Sequence, residues 1–429
     1  MARVRPFAAY RYATTSRDIS ELTAPPYDVI SPAQRDAFLA RDSHNVVALE
    51  LPDGPLDPTV PGNRYEAGAA TWNEWRGQGV LVQDPTPAVY VLEQLTHHGD
   101  STVRRRSFVV EVALEPFSAG VVLPHERTLL KALGDRFELI RATGANLSQV
   151  LGLFDDPDGI TDALFDKIAV GDPIATATDA DGVESDLWAC TDADVIRGVV
   201  AALADKRIFI ADGHHRYTTA LAYRDERRAS APGPPVDPPY DFVMMALVNM
   251  DDPDLVVMPT HRVADADGVF HADAFWASVS RRFDVSEAPA GHAGDALRAA
   301  PRPAYLVKTS ADSEPRLVVL KADVDLDAAI PIDRSSAWKH LDVAVLQELI
   351  LGPVLGIDPE RPETLDRLGF FKDAHGAFRQ TASHDVVFVL RPTGMDQLRA
   401  VALAGETMPQ KSTYFYPKLL SGLLFRSAE

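Results

Sequence analysis

One stretch of the sequence, RIFIADGHHRYTTALAYR at residues 207–224, carries the signals of a strand, a turn and a helix in that order. The apolar run that starts at Ile208 predicts a short buried strand. Gly213 permits a backbone conformation, or a close approach, that a side chain would block. Beyond it, apolar and small residues at helical spacing predict a helix, and Asp212 is a residue type that caps a helix start.

The predicted first turn of this helix is rich in cationic residue types. His214, His215 and Arg216 stand where unpaired N–H groups and the positive end of the helix dipole favour an anion. The pattern therefore predicts a phosphate or carboxylate site, made by the Gly213 backbone and Arg216. The alternative is that the two histidines cap the helix and that Arg216 pairs with a neighbouring acid.

The string ADGHHRY resembles the DGHHR signature of the ParB/sulfiredoxin superfamily, and within it the archaeal ADP-dependent free-serine kinase branch. Further strings resemble one bacterial family, the DUF1015 proteins. They are RPFAAYRY, APPYDVI, PHERTLLKALGDRFELIRATGANLSQVLGLF, MMALVNMDDPDLVVMPTHR and MPQKSTYFYPKLLSGLLF. Because they cover nearly the whole chain, it is identified as a member of that family. The resemblance implies a mixed α/β (α+β) fold, in which a ParB/sulfiredoxin-like nucleotide-binding core carries inserted and C-terminal α+β units.

A chain of 429 residues is expected to form two or three domains. The patterns divide it into an N-terminal part of the core (1–83), an inserted hairpin and helix unit (84–190), a core segment with the DGHHR turn (191–265), an accessory α+β unit (266–330) and C-terminal helices, strand and closing arm (331–429). Period-two alternation on both sides of Gly99 and Asp100 predicts the hairpin. Residues 44–51 are predicted as a strand, and a later helix is predicted to end at Gly352 and Pro353.

The formal net charge of −20 argues against a general polyanion binder, so a nucleic-acid partner is not expected, although a local basic pocket is compatible with it. Cys190 is the single cysteine, which excludes a disulfide framework and fits a reducing cytoplasm. No apolar run is long enough to span a bilayer, and the first residues lack the apolar core of a signal peptide. We expect a cytoplasmic protein with a small-molecule partner, and a homodimer is compatible with the sequence.

Other candidate site residues stand at predicted junctions between elements. His125 and Glu126 follow a proline at a strand-to-helix junction, Arg136 lies in the helix that follows, and Asn146 precedes the next strand. A run of three arginines, at 104–106, lies in the second strand of the predicted hairpin. It is interpreted as a solvated edge.

The C-terminal string MPQKST leaves two interpretations open. Either Lys411 and Ser412 supply a cation and a hydroxyl to a phosphate, or the segment is a packing arm whose lysines keep their ammonium groups in water. No glycine-rich phosphate loop accompanies these residues.

Phosphoryl transfer on a small hydroxylated or phosphorylated metabolite is the leading functional hypothesis, because positioning and charge neutralisation carry most of that chemistry. In this hypothesis Asp212 holds Mg²⁺ directly or through water, Glu126 acts as the base, and His214 and His215 belong to the catalytic group. Ligand phosphates contact Gly213, Arg216, His125, Arg136, Asn146, Lys411 and Ser412. The resemblance to the free-serine kinase implies a serine kinase-like or phosphoserine phosphatase-like reaction, with ATP or ADP as a candidate nucleotide.

Two alternatives belong to other classes. One is a ParB-like nucleotide-binding regulatory module, which the acidic charge and the lack of a helix-turn-helix segment disfavour. The other is a metal-dependent hydrolase that uses His125, His214, His215 and His261. Missing G-x-G-x-x-G and G-x-S-x-G motifs argue against a Rossmann cofactor site and an α/β-hydrolase.

Overall fold

The structure is a computed structural model that describes residues 1–13, 18–98, 101–126, 130–230, 233, 236–289, 291–358 and 361–429. The chain divides into two compact units. The first contains Met1–Pro124, Thr128–Val256 and Pro417–Glu429, and the second contains His125–Arg127 and Val257–Tyr416. Within the described ranges, no helix combines the length and the apolar character that a membrane crossing requires.

Most of the strands in the described part of the chain belong to the first unit. Its strands are β1 (Val4–Arg5), β2 (Tyr10–Tyr12), β3 (Leu81–Gln83), β4 (Val89–His98), β5 (Ser101–Ala113), β6 (Val122–Leu123), β7 (Ala145–Asn146), β8 (Val150–Phe154), β9 (Ala175–Thr178), β10 (Glu184–Cys190), β11 (Ile208–Asp212) and β12 (Phe242–Asn249). Its helices are α1 (Ile19–Leu22), α2 (Pro32–Arg41), α3 (Val47–Glu50), α4 (Arg64–Gly77), α5 (Leu130–Thr143), α6 (Asp162–Ile168), α7 (Ala193–Ala204) and α8 (His214–Ser230), with 3₁₀ turns at Tyr27–Val29, Phe117–Ala119 and Pro239–Asp241.

A mixed sheet organises the described part of this unit. Its order is β6-β11-β8-β12-β5-β4-β10-β9, with β1 also paired to β5. The β8–β12 and β6–β11 pairs are parallel, and the other neighbours are antiparallel. Apolar side chains of the central strands pack with those of α7 and α8 to form the core. The predicted mixed α/β class is confirmed.

Several local predictions also hold. β4 and β5 form the predicted antiparallel hairpin, whose turn at Gly99 and Asp100 lies outside the described residues. Trp72 and Trp75 of α4 are buried, as expected for core residues. Residues 127–129 of the PHERTLL string also fall outside the described ranges.

The prediction of a strand at residues 44–51 is wrong, because this segment contains α3. The Asn45 side chain donates to the carbonyl oxygens of Glu21 at 2.8 Å and Thr23 at 2.9 Å, and it accepts from the Val47 N–H at 3.1 Å. These bonds anchor a helical turn, so the tertiary context overrides the strand preference of the β-branched residues.

The second unit follows the boundary strand β13 (Val256–Met258). Its strands are β14 (His261–Ala264), β15 (Phe283–Glu287), β16 (Ala304–Thr309), β17 (Arg316–Leu320), β18 (Leu368–Phe371), β19 (Val386–Val389) and β20 (Tyr414–Tyr416). Its helices are α9 (Ala272–Val279), α10 (Ala293–Ala299), α11 (Leu326–Ala329), α12 (Ser336–Lys339), α13 (Asp342–Leu346), α14 (Gly352–Leu355), α15 (Pro362–Leu365), α16 (Ala374–Arg379) and α17 (Met395–Leu403), with a π-helical turn at Gln347–Leu351 and a 3₁₀ turn at Gln380–Ala382.

An antiparallel sheet in the order β15-β17-β16-β19-β14-β18 forms the core of the described part of this unit. The helix predicted to end at Gly352 and Pro353 continues through the π-helical turn into α14. Pro353 is tolerated there because it stands in the first turn of α14, where a backbone N–H is not needed. Gly356, with a φ of 67°, ends the helix. The last strand, β21 (Arg426–Ser427), belongs to the first unit and pairs with β7.

Candidate active site

The central turn joins β11 to α8 in the first unit. Asp212 is the last residue of β11, and the pairing of β11 with β8 shifts register between Ile210 and Asp212. Bulges of this kind redirect side chains and are frequent beside active sites. Gly213 has a φ of 86°, and a Cβ atom added to it would lie 2.8 Å from Nε of Arg216. The glycine therefore allows both the turn and the return of the Arg216 side chain over it.

The Asp212 carboxylate lies between two cations. Its Oδ1 atom is 3.3 Å from Nζ of Lys418, and its Oδ2 atom accepts from Nη2 of Arg216 at 3.2 Å. Burial alone would raise the pKa of this carboxyl, but Lys418, Arg216 and His214 together hold it well below its ordinary value. Asp212 is therefore ionised at neutral pH and is a weak base.

Arg216 is the second member of this cluster. Its Nη1 donates to the backbone carbonyl of Gln149, and its side chain is only 12% exposed. The ion pair of the alternative interpretation is therefore present. Arg216 also lies beside the turn, as the anion-site interpretation requires. Of the five N–H groups of this guanidinium, hydrogen bonds to described residues occupy two.

A third cation, Arg105, lies in the central strand β5. It is 2% exposed, and burial lowers its pKa to about 10. One of its terminal nitrogens, Nη2, donates to Oε1 of Gln94, whereas Nη1 is buried without a hydrogen-bond partner in the described structure. Gln94 in turn donates to the backbone carbonyl of Lys418 at 3.0 Å, which connects the two cations. The interpretation of residues 104–106 as a solvated edge is therefore wrong for Arg105.

Together these residues carry more positive than negative charge. Arg105, Arg216 and Lys418 are cations, and the Asp212 carboxylate pairs with Arg216 and Lys418 and interacts electrostatically with Arg105. Buried charges of one sign are costly unless an opposite charge compensates them. In a chain of net charge −20, a local excess of buried and half-buried cations favours an anionic ligand.

A small cavity adjoins Arg216. Its polar lining consists of Glu50, Arg136, Asn146, Ser148 and Arg216. Arg136, Asn146 and Arg216 are three of the predicted ligand-binding residues, and the fold brings them to one place.

Two of the residues around this cavity are themselves held by protein groups. Asn146 Oδ1 accepts from the Met244 N–H at 3.2 Å and from Nη1 of Arg426 at 3.1 Å. The guanidinium of Arg136 lies 4.1 Å from the centre of the Tyr27 ring, and burial raises the Tyr27 pKa to about 12. The cavity therefore has a rigid wall.

His214 and His215 begin α8 in the first unit, and the remaining predicted site residues belong to the second unit. Nε2 of His125 lies 2.9 Å from Oγ1 of Thr413, and Oε1 of Glu126 accepts from the Lys411 N–H at 3.0 Å. Lys411 has a φ of 57°, which is uncommon for a residue with a side chain. Ser412 is buried, and its hydroxyl donates to the carbonyl of Pro409. A role for these residues at the Asp212 turn stays a prediction.

Sequence reasoning missed Lys418, Arg105, Gln94 and Glu50. Two signals were present in the sequence. In a strand, Arg104 and Arg106 share one face and Arg105 points to the other, so one of the three arginines is expected to be buried. Glu50 interrupts the apolar run VVALEL, and a charged residue inside such a run needs a partner.

Comparisons with known proteins give one family match and several distant structural matches. A family model described as "Protein of unknown function (DUF1015)" matches residues 4–344. Curated proteins give no match. A free serine kinase variant in complex with ADP aligns with a TM-score of 0.36 and 13% identity, over 72% of this chain and 87% of that chain.

Two further solved structures give similar values. A conserved hypothetical protein from Pyrococcus furiosus has a TM-score of 0.35 and 12% identity, over 72% of this chain and 92% of its own. C-terminally truncated SbnI from Staphylococcus aureus has a TM-score of 0.33 and 12% identity, over 73% and 85%. At these values the likeness transfers neither a ligand nor a reaction to this chain.

Proposed function

This chain belongs to the DUF1015 family, and on the geometry of its first unit we propose that it is a phosphoryl-transfer enzyme acting on a small hydroxylated or phosphorylated metabolite. The observation that carries the proposal is the Asp212 carboxylate between Lys418 and Arg216, with Arg105 buried nearby. Phosphoryl transfer needs fixed cations at the phosphoryl oxygens and little covalent help from the protein.

The two accessible cations have distinct geometries. Arg216 offers a planar fork that suits two phosphate oxygens at once, and Lys418 offers a point charge. Asp212 holds both in place, and a dianionic phosphoryl group that approaches them takes over part of its ion pairing. Arg105 remains buried near these two residues as a fixed positive charge, and it does not need to contact the ligand.

Glu126 is the proposed base. Its Oε1 atom accepts the Lys411 N–H, which orients the carboxylate, and the carboxylate is the proposed acceptor of the proton of a substrate hydroxyl. With serine as acceptor the reaction is kinase-like, and with phosphoserine and water it is phosphatase-like. His125, Lys411 and Ser412 belong to the same hypothesis as groups near the transferred phosphate.

The proposed donor is ATP or ADP, which rests on the resemblance of the DGHHR turn to nucleotide-binding turns. Mg²⁺ held directly by Asp212 does not fit the structure, because both carboxylate oxygens face cations. Among the described residues, no three His, Cys, Asp or Glu side chains are grouped to hold a metal ion. No step is therefore assigned to a metal.

An incubation of the protein with serine and ATP or ADP, followed by ³¹P NMR, tests the kinase direction, and phosphate release from phosphoserine tests the other. Formation of a phosphate ester, or its hydrolysis, supports the proposal when both Arg216→Ala and Lys418→Ala abolish it. Saturable nucleotide binding without turnover of either substrate would instead support a regulatory module.

A further inference from the structure

One carboxylate oxygen of the first unit is buried without a hydrogen-bond partner. Glu50 stands at the end of α3 and is 4% exposed. Its Oε2 atom accepts from Nη1 of Arg136 at 3.2 Å, whereas Oε1 has no partner in the described structure. An ionised oxygen that has lost water and gained no donor is costly, so this atom calls for a donor from outside the chain.

Arg136 does not supply that donor, because its nitrogens are already engaged. Nη1 also donates to the Glu50 carbonyl at 2.8 Å, and Nε donates to Oδ2 of Asp135 at 2.9 Å. Asp135 is also paired with Arg64, whose Nη1 lies 3.6 Å from its Oδ1. Oε1 of Glu50 therefore lacks a hydrogen-bond donor, and a cationic donor would satisfy it best because charge-assisted hydrogen bonds are the stronger ones.

A small cavity lies beside Glu50. Glu50 lines the cavity beside Arg216, whose volume is about 40 Å³. A water molecule needs roughly 10–15 Å³ of such space, so the cavity admits a few non-hydrogen atoms and is too small for a nucleobase. A carboxylate and a guanidinium that line one small cavity fit a ligand with a positive and a negative end.

We propose that Glu50 binds the ammonium group of a small primary amine whose phosphate ester lies at Arg216. This inference rests on the proposed function, because it uses the same anion site. It narrows the proposed substrates to primary amines, and it makes Glu50 the residue that selects the amine.

A pair of ligands that differ only in the ammonium group tests the inference directly. Isothermal titration of the full-length protein with O-phosphoethanolamine and with ethyl phosphate measures the contribution of the amine. The amine is expected to bind roughly tenfold more tightly or better, as for one charge-assisted hydrogen bond in a buried site. In Glu50→Gln this preference should disappear, while the affinity for ethyl phosphate stays the same.

Asp241→Asn is a matched control, because Asp241 is also buried and paired with an arginine, Arg228, but both of its carboxylate oxygens accept hydrogen bonds. This variant should keep the preference. Equal affinities of the two compounds for the wild-type protein would overturn the inference and leave the anion site intact. A preference retained in Glu50→Gln would overturn it too. If neither compound nor inorganic phosphate binds, the anion site and the proposed function fail with it.

Discussion

Nζ of Lys418 lies 3.3 Å from Oδ1 of Asp212, although Val257–Tyr416 of the second unit lie between the two residues in the sequence. The same carboxylate binds Arg216 from the adjacent helix turn. A residue from the end of the chain therefore completes a charge cluster that begins at the DGHHR turn. The following predictions test this arrangement.

Removal of the lysine should weaken anion binding. In Lys418→Ala, affinity for phosphate or a phosphorylated ligand should fall by roughly 10- to 100-fold, as expected for a charge-assisted contact of about 1.5–3 kcal/mol. Isothermal titration calorimetry measures this change in affinity. Lys167→Ala, which removes an exposed lysine at the end of α6, is the control and should bind as the wild type does. Equal affinities of the two variants would exclude Lys418 from the site.

Arg216→Ala should abolish binding of a phosphate-bearing ligand and leave the fold intact, at a similar cost of about 1.5–3 kcal/mol in binding free energy. Circular dichroism checks the fold, and titration checks the affinity. Arg197, whose side chain is 70% exposed on α7, provides the control variant Arg197→Ala. A folded Arg216→Ala protein with unchanged affinity would contradict the assignment.

Gly213→Ala separates backbone strain from the loss of space for Arg216. Alanine at a positive φ should cost about 1 kcal/mol by itself, and displacement of the arginine should add to it. Gly182 has a φ of 79° with nothing within 4 Å of an added Cβ, so Gly182→Ala has the strain alone. Denaturant unfolding should show the larger loss of stability for Gly213→Ala, and only this variant should lose phosphate binding.

His261 in the second unit should make the protein sensitive to acid. Burial, and then the charge of Arg262, lower its pKa to about 4 in the folded state, against about 6.5 in the unfolded chain. The unfolded chain therefore binds more protons between these values, and stability falls as the pH decreases from about 6.5 to about 4.

The free energy of unfolding is expected to decrease by about 2 kcal/mol between pH 7 and pH 5 because of this one group. Denaturant unfolding at both pH values should show a correspondingly smaller loss in His261→Gln. His97 is exposed, and His97→Gln should behave as the wild type does. An unchanged pH dependence in His261→Gln would mean that the imidazole charges freely in the folded protein.

Duplex DNA should not bind. The net charge of −20 opposes a polyanion, since the cations of the cluster are few and buried or half-buried. Fluorescence anisotropy at physiological salt should show no saturable binding. Sub-micromolar affinity with a steep salt dependence would favour the regulatory alternative over the enzyme.

The sequence was sufficient to predict the local elements at the turn. The strand, the glycine and the helix start follow from short-range patterns that the structure reproduces at Ile208, Gly213 and His214. The helix at residues 47–50 was not predictable in the same way, because the bonds of Asn45 that anchor it reach residues 21 and 23. Local secondary-structure propensity carries no information about such long-range hydrogen bonds.

Partners far apart in sequence account for most of what was missed at the candidate site. Lys418 was overlooked in favour of Lys411, because nothing in the string MPQKSTYFYPKLL distinguishes a lysine that meets a buried carboxylate from one in water. Arg105 was assigned to an edge, because the order of strands in the sheet, which places β5 in the middle, depends on pairings with β4 and β12.

The position of Pro417–Glu429 in the first unit has a consequence for synthesis. A ribosome makes Asp212 and Arg216 first, then residues 257–416 of the second unit, and only afterwards Lys418. Until then, the nascent first unit has Asp212 paired with Arg216 but without its lysine, and β7 lacks its partner β21. Tight capture of phosphate therefore requires translation to pass residue 418, so that the anion site is completed late in the synthesis of each molecule.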